Sequence, residues 1–157
     1  MDERAAEFSR RARTEHGLDV NVREFAEGTG TAADAAAAIG CDLGAIASSI
    51  ALVADGLLVV VTSGANRVDT EKLATRRGVE EARTADPDEI KETLGWSIGG
   101  VPPFCHRTDV PVYVDEALTG YDTVWAAAGT PEAVFPIDPQ RIVACADATV
   151  VDVTVRS

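Results

Sequence analysis

The chain has 157 residues, enough for one domain with a substantial hydrophobic core, and 46% of them are apolar while only 5% are aromatic. No apolar run reaches the roughly 18 residues that a membrane span requires. The first residues, MDERAAEFSRRAR, lack the apolar centre of a signal peptide. We therefore expect a single cytoplasmic domain over residues 1–157, with no membrane partner.

The net charge of −12, from 14 basic and 26 acidic residues, would ordinarily argue against a nucleic-acid partner, because phosphate binding needs Lys and Arg. Only Lys72 and Lys91 among the basic residues are lysines. An acidic surface poor in lysine suits a cytoplasm rich in salt, where screening removes most of the self-repulsion. We interpret the charge as a halophilic adaptation, which leaves room for a local basic patch.

In the first half of the chain, cap and turn residues separate the predicted elements. Residues 2–15 are charged with apolar positions at helical spacing, which predicts a surface helix. Alternation over 19–25 predicts a first strand. The segment 31–40 begins with a capping threonine and ends with a glycine, as a helix does. Two β-rich runs within 49–64 flank an Asp-Gly pair, which is favoured in tight hairpins.

In the second half, two capped helices precede a region rich in strands. Aspartates begin the predicted helices over 69–78 and 86–95, and glycines end them. The predicted strands are 110–115, 122–129, 132–137 and 148–155, with a short helix over 138–143. Many strands interspersed with short helices predict a mixed α/β domain with a mixed sheet. No glycine-rich phosphate-binding signature follows a strand, and we expect no cofactor.

The segment GWSIGGVPPF, residues 95–104, combines three glycines with two consecutive prolines. Glycine widens the conformational choice of the backbone, whereas proline narrows it and has no N–H to donate. Such a loop can present the N–H groups of Gly99, Gly100 and Val101 to a ligand oxygen while the prolines stiffen its exit. We expect a methyl group at Gly100 to obstruct that ligand. The alternative is a tight connecting loop that binds nothing.

Metal and base chemistry have weak support in the sequence. The cysteines Cys41, Cys105 and Cys145 form no C-x-x-C pair, and the histidines are His16 and His106. This spacing does not support a zinc site, so we expect no metal and interpret the cysteines as small, partly buried residues. The histidine that follows the loop is a candidate base, although a lone histidine is more often structural.

Five segments occur together in an order that resembles one family. They are GTAADAAAAIGCDLGAIASSIALV, VVVTSGANRVDTEKLA, ADPDEIKETLGWSIGGVPPF, PVYVDEAL and AAAGTPEAVFPI. From about residue 17 to residue 155 the chain resembles the YbaK/prolyl-tRNA-editing-domain superfamily, which includes free-standing aminoacyl-tRNA deacylases. The resemblance implies a compact, barrel-like mixed α/β domain. It also implies that the protein hydrolyses, in trans, the ester joining a wrongly attached small amino acid to the 3′-terminal adenosine of a tRNA.

The family's G-x-x-x-P motif falls on Gly99 to Pro103. In the family this loop shapes the amino-acid pocket, and its backbone contacts the aminoacyl carbonyl. The resemblance implies that water, or a ribose hydroxyl acting with it, attacks the ester while the amides of Gly99, Gly100 and Val101 stabilise the oxyanion. Aminoacyl-tRNA is the implied partner, with an aminoacyl-tRNA synthetase as a second candidate partner.

The resemblance also assigns substrate contacts outside the amides of the loop. Two serines and the Asn-Arg pair would orient the adenosine and its phosphate, and one glycine would line the opposite wall. The proline and phenylalanine beside Val101 would bound the amino-acid pocket and so indicate a small side chain, although its identity stays open. These residues are Ser48, Ser49, Asn66, Arg67, Pro102, Phe104 and Gly129.

Two residues depart from the family pattern. Members with editing activity carry a lysine at the position of Ser48, where it helps to hold the terminal phosphate or adenosine. A charged hydrogen bond is roughly twice as strong as a neutral one. Cys105 stands where glycine is usual. The missing lysine leaves two hypotheses open, a trans-editing hydrolase and a module that binds an aminoacyl-adenosine or another nucleotide without turnover.

The acidic composition predicts that folding depends on salt. The midpoint of thermal unfolding should be higher in molar KCl than in low salt, because carboxylates repel one another at low ionic strength. Melting curves at the two salt concentrations measure this, with an uncharged osmolyte as the control for water activity. An unchanged midpoint would show that the acidic surface is not an adaptation of this kind.

Overall fold

The computed structural model describes residues 2–25 and 31–155, and these residues form five α-helices and ten β-strands. The helices are α1 (Glu3–His16), α2 (Ala32–Ile39), α3 (Thr70–Arg77), α4 (Pro87–Leu94) and α5 (Pro139–Ala146). The strands are β1 (Arg23–Glu24), β2 (Ile46–Val53), β3 (Leu57–Ser63), β4 (Arg67–Val68), β5 (Arg83–Thr84), β6 (Val112–Asp115), β7 (Val124–Ala127), β8 (Ala133–Ile137), β9 (Thr149–Val151) and β10 (Thr154–Val155). None of the helices described is long and apolar enough to cross a membrane.

Eight of the strands form one sheet in the order β1-β8-β7-β2-β3-β6-β9, with β5 pairing to β2 outside this path. The β1–β8, β8–β7 and β2–β3 pairs are antiparallel. The β7–β2, β3–β6 and β6–β9 pairs are parallel. Strands β4 and β10 make a separate antiparallel pair. The predicted mixed α/β domain with a mixed sheet is therefore confirmed.

Short-range signals account for most of these boundaries, and α2, α3 and α4 lie within their predicted segments. The turn between β2 and β3 contains Asp55 and Gly56, both with positive φ (58° and 93°), as a tight hairpin requires. The carboxylate of Asp69 accepts backbone N–H groups in the first turn of α3. At α4 the N–H of Asp86 donates to the Glu89 carboxylate (2.9 Å).

The structure corrects two predicted strands. The strand expected over 19–25 is reduced to Arg23–Glu24, because only these two residues pair with β8. Val20 and Val22 pack against the core without joining a ladder. The strand expected over 148–155 is divided, since β9 pairs with β6 while β10 pairs with β4 in the other sheet. In both segments the alternation of apolar residues reflects burial and not continuous pairing.

Helix α1 covers the aromatic centre of the core. The ring of Phe8, which is fully buried, lies 4.9 Å from that of Phe135, 5.6 Å from that of Phe104 and 6.2 Å from that of Trp96. Aromatic pairs at these separations stabilise a core beyond their buried area. Trp96 and Phe104 stand near the two ends of the Gly/Pro loop, so α1 holds both ends of that loop through a single side chain.

Candidate functional site

Strand β2 lacks a neighbouring strand along the middle of one edge. On one side β3 pairs with it from Ala47 to Val53. On the other side β7 pairs only at Ile46 and Ala47, and β5 only at Leu52 and Val53. Residues 48–51 therefore have no strand beside them on that edge in the part of the chain described. This break opens the sheet near its centre.

The backbone of Ser49 points into the break. The carbonyl of Ile46 accepts from the Gly64 N–H on the β3 side (2.8 Å), whereas the carbonyl of Ala51 accepts from the Ala85 N–H on the opposite edge (3.0 Å). Successive residues of an antiparallel strand direct their backbone groups to alternate edges. Ser49 therefore shares the orientation of Ala51, and its N–H and C=O face the side on which no strand lies.

An open cavity of about 470 Å³ lies at the break. Strand β2, the start of the Gly/Pro loop, α2, the β5–α4 segment and the β7–β8 turn form its walls. Thr31, Ser48, Ser49 and Thr84 contribute hydroxyl groups. The other described residues that line it are apolar or glycine, and none of the lining residues described has a titratable side chain. The cavity is therefore an uncharged space with a few hydrogen-bonding groups.

Ser49 contributes a second unsatisfied group in the same place. Its Oγ is shielded from solvent and has no hydrogen-bond partner among the residues described. Buried polar atoms are nearly always hydrogen-bonded, and leaving one unpaired costs about 1–3 kcal/mol. A ligand in the cavity can satisfy both this hydroxyl and the strand edge that carries it.

Two of the three predicted amide donors of the loop are available. The N–H of Gly100 donates to the carbonyl of Ser97 (3.0 Å), so the expectation that it is free for a ligand is wrong. The N–H groups of Gly99 and Val101 have no acceptor among the described residues, and both residues line the cavity. Gly99 has a φ of 86°, which glycine adopts without strain.

Gly100 is required by packing and not by the space that a ligand needs. A Cβ at Gly100 would lie 2.7 Å from the Cα of Thr130 and 2.9 Å from the carbonyl oxygen of Gly129. Gly129 itself has a φ of 99°, and a Cβ there would lie 2.7 Å from the carbonyl oxygen of Arg4. The assignment of Gly129 to the opposite wall is corrected, because neighbouring residues of β7 and the β7–β8 turn line that wall instead.

The exit of the loop is anchored in the core. Pro102, Pro103 and Phe104 are buried and do not line the cavity, so the expected amino-acid pocket retains only Val101. The Nε2–H of His106 donates to the carbonyl of Pro102 (2.8 Å), since a carbonyl oxygen can only accept. Burial lowers the pKa of His106, which favours the neutral ring that this bond uses. The histidine thus supports the loop and is not a base at the cavity.

A second cavity of about 330 Å³ adjoins the first. The two share Ala32, Ser48, Ile50 and Thr84 as lining residues. Arg67 is the one charged residue that lines the second cavity among the residues described. Ser48 thus lies between an uncharged space and one with a single cation.

Asp115 positions the turn that carries Asn66 and Arg67. Its buried carboxylate accepts the N–H of Ser63 (3.0 Å), the Nδ2–H of Asn66 (3.0 Å) and the N–H of Ala117 (2.9 Å). The Asn66 amide therefore supports the turn. Arg67, next in the chain, makes no ion pair with any residue described and is available to a ligand.

An ion pair braces the β5–α4 wall of the cavity. Arg83 Nη1 lies 2.8 Å from Glu89 Oε1. The hydrogen bonds from Arg83 and then from the Asp86 N–H lower the pKa of Glu89 to about 2. Both side chains are exposed, so the pair contributes little free energy. Thr84, the residue after Arg83, pairs with Leu52 of β2 and lines the rim that the two cavities share.

Two apolar residues at the cavity were missed by the sequence analysis. Ile98 is 57% exposed and Trp125 is partly exposed, and both line the cavity. The Arg23 guanidinium carbon lies 5.4 Å from the centre of the Trp125 ring. Ile98 belongs to the loop that the glycines marked, whereas no local pattern distinguishes Trp125 from an ordinary strand residue.

The fold and the candidate site define a mixed α/β protein with a cavity that opens at a break in the sheet beside a Gly/Pro loop. The sequence model of a family described as "Aminoacyl-tRNA editing domain" matches residues 26–145, and the chain belongs to this family. The family predicted from the sequence is therefore confirmed.

Individual proteins are similar to this chain over most of its length. The protein YwhH of Bacillus subtilis (strain 168) is 31% identical over 131 residues, which is 82% of this chain and 83% of YwhH. A crystal structure described as that of a candidate trans-editing enzyme for prolyl tRNA synthetase is 37% identical, with a TM-score of 0.94 over 99% of both chains. A scaffold protein solved in work on presenting linear epitopes is 34% identical, with a TM-score of 0.93 over the whole of both chains.

The two glycines of the loop should respond differently to alanine. Gly100→Ala should lower the free energy of unfolding by about 3 kcal/mol, because its methyl group overlaps the backbone at Thr130. Gly99→Ala should cost only about 1 kcal/mol of backbone strain, since its Cβ would make an ordinary 3.4 Å contact with Pro131. Denaturant unfolding of both variants measures the difference. A larger loss for Gly99→Ala would contradict the packing described.

Proposed function

We propose that the protein hydrolyses the ester between a small amino acid and the 3′-terminal adenosine of a tRNA that carries it wrongly. One observation carries the proposal: at the break in β2, one uncharged cavity is lined by three residues with unpaired polar groups, which are Ser49, Gly99 and Val101. Membership of the editing-domain family supports this class of reaction, as does the description of the structural neighbour.

The amino-acid part of the substrate lies along β2. Ala47, Ser49 and Ala51 share one face of the strand, and all three line the cavity. The carbonyl of Ser49 accepts a hydrogen bond from the substrate ammonium group. The hydroxyl of Ser49 donates a hydrogen bond to an oxygen of the ester. Ile46 and Val101 line the same cavity and restrict the amino-acid side chain to a small one.

Hydrolysis proceeds without a protein nucleophile. A water molecule, or a ribose hydroxyl acting with it, attacks the ester carbonyl, and the C–O bond to the ribose then breaks while a proton passes to the ribose oxygen. The N–H groups of Gly99 and Val101 bind the oxyanion, a contribution of about 10²–10³-fold for each donor. No titratable side chain lines the described cavity, so protons move through water and the hydroxyls of the substrate. Positioning supplies much of the remaining acceleration.

The nucleotide part of the substrate occupies the second cavity. Arg67 binds a phosphate oxygen there, and Ser48 hydrogen-bonds at the passage between the two cavities. Asp115 maintains this arrangement through the turn that it holds. An aminoacyl-tRNA synthetase as a further partner stays a prediction.

The serine at position 48 favours a second candidate function, which is binding of an aminoacyl-adenosine without turnover. A hydroxyl holds a phosphate more weakly than a lysine does, and the terminal ester would then be less firmly placed. Arg67 favours the hydrolase, because it supplies one positive charge to the cavity that Ser48 also lines.

A deacylation panel tests the two functions. tRNAs charged with labelled alanine, serine, cysteine or phenylalanine are incubated with the protein in molar KCl, and both amino-acid release and tRNA retention on filters are measured. Faster release of a small amino acid, with phenylalanine unaffected, supports the hydrolase. Retention without release supports the binding module, and the absence of both effects contradicts the proposal.

Ser49→Ala should lower activity without lowering stability. The free protein should unfold with an unchanged or slightly higher free energy, by up to about 1 kcal/mol, because a buried hydroxyl without a partner is removed. The value of kcat/KM should fall about 5- to 10-fold with the loss of one hydrogen bond to the substrate. Ser9→Ala is the matched control, because it removes the other buried hydroxyl without a partner, from a residue of α1 that lines neither cavity, and it should leave kcat/KM unchanged. A destabilised Ser49→Ala variant with unchanged kcat/KM would contradict the role given to Oγ.

A further inference from the structure

The end of α1 and the end of the Gly/Pro loop bring three metal-binding side chains together. Glu15 and His16 are the last residues of α1, and Cys105 directly follows Phe104. One carboxylate oxygen, one imidazole nitrogen and the thiol sulfur all lie within 4.8 Å of one another. The sequence analysis expected no metal because it judged the cysteines and histidines by their spacing, and the fold joins two distant segments here.

A cavity of about 100 Å³ accompanies this cluster. All three side chains line it, together with Asp109 and Cys145. A water molecule needs only about 10–15 Å³ of such volume, so an ion with a bound water fits. This cavity shares no described lining residue with the two cavities at the break in β2, and it is therefore separate from the proposed active site.

The backbone at Cys105 is strained. Its φ is 65°, a left-handed conformation that costs a residue with a side chain about 1–2 kcal/mol. The Nε1–H of Trp96 donates to the carbonyl of Cys105 (2.9 Å) and holds the chain in this conformation. Glycine would avoid the strain. A buried thiol at a position that favours glycine is the kind of outlier from which a functional role is inferred.

We propose that Cys105, His16 and Glu15 bind a zinc ion, with water as the fourth ligand. Zinc prefers thiolate, imidazole and carboxylate in tetrahedral geometry, and a sulfur ligand disfavours magnesium and calcium. Bond lengths of about 2.0–2.3 Å place tetrahedral ligand atoms about 3.5 Å apart. The three donor atoms therefore need to approach one another by little more than about 1 Å, which side-chain rotation provides.

Arg11 orients the carboxylate of this site. Its Nε lies 2.6 Å from Oε2 of Glu15 and its Nη2 lies 3.4 Å from Oε1. The same Nη2 also donates to the carbonyl of His106 (3.3 Å). In the proposed site Glu15 gives up the longer contact and binds zinc through Oε1, while Arg11 Nε keeps Oε2, as outer partners of metal ligands commonly do. The ion links α1 to the exit of the Gly/Pro loop from outside the substrate cavity.

Cobalt and zinc titrations of the full chain, stripped with a chelator, test the proposal. One equivalent of Co²⁺ should produce a thiolate-to-cobalt charge-transfer band and the strong visible absorption of four-coordinate cobalt. One equivalent of Zn²⁺ should remove both and raise the unfolding midpoint. Cys105→Ser should abolish the band and weaken zinc binding at least about 100-fold, because the loss of an outer partner alone costs 10- to 100-fold.

Three further variants keep the test decisive. Cys105→Gly suits the left-handed backbone, so it folds and should show no band. Cys41→Ser removes a thiol that packs beside α2 and should leave the band intact. Cys145→Ser should also keep the band. Loss of the band in this variant would show that the proposed ligand set is wrong. A wild-type protein without the band, or a band that survives Cys105→Ser, would overturn the site itself. None of these measurements depends on deacylation, so they stand apart from the proposed function.

Discussion

The candidate site depends on one constraint in the sheet. The edge of β2 that faces away from β3 is paired only at its two ends, by β7 and by β5. Strand β7 ends at Ala127 before the chain reverses at Gly129, whose φ of 99° and close packing under the Arg4 carbonyl fix the reversal. Strand β5 supplies only two residues to the opposite end. The backbone N–H and C=O of Ser49 therefore have no strand partner, and a molecule that enters the cavity can hydrogen-bond to them. A ligand with an ammonium group and a carbonyl, such as an aminoacyl ester, offers the complementary donors and acceptors.

The Gly/Pro loop meets this edge because the core holds the loop at both ends. Phe8 of α1 contacts Trp96 and Phe104, and the Arg4 guanidinium lies over the Trp96 ring at 4.6 Å. The glycines between these anchors have separate functions: Gly99 takes a left-handed turn at the cavity, while Gly100 permits contact with the β7–β8 turn. The prolines after them face the core. The combination of glycine and proline therefore brings two backbone segments together and leaves two amides unpaired.

Sequence reasoning succeeded where the determinants are local. The capping aspartates, the left-handed glycines and the Asp55-Gly56 turn each act over a few residues, and the elements that they delimit were predicted. It failed where the determinant is a distant segment. The division of 148–155 between two sheets follows from which strands lie alongside, and the packing role of Gly100 follows from Thr130. The family resemblance led us to predict a site at the loop and β2, and this stays a prediction. The break in the pairing of β2, which opens the cavity there, has no sequence signature.

The charge of the protein limits how a tRNA is held. With a net charge of −12, extended contact with the phosphate backbone is unfavourable, and Arg67 is the one charged residue lining the two adjoining cavities among the residues described. Neutralising a single phosphate gives only a weak salt dependence, with a slope of about −0.7 for a single strand. Recognition in the proposed function then rests on the terminal nucleotide and on uncharged hydrogen bonds to a strand edge. Such contacts persist at the high ionic strength that an acidic surface tolerates, whereas a binding face made of many cations would lose its affinity there.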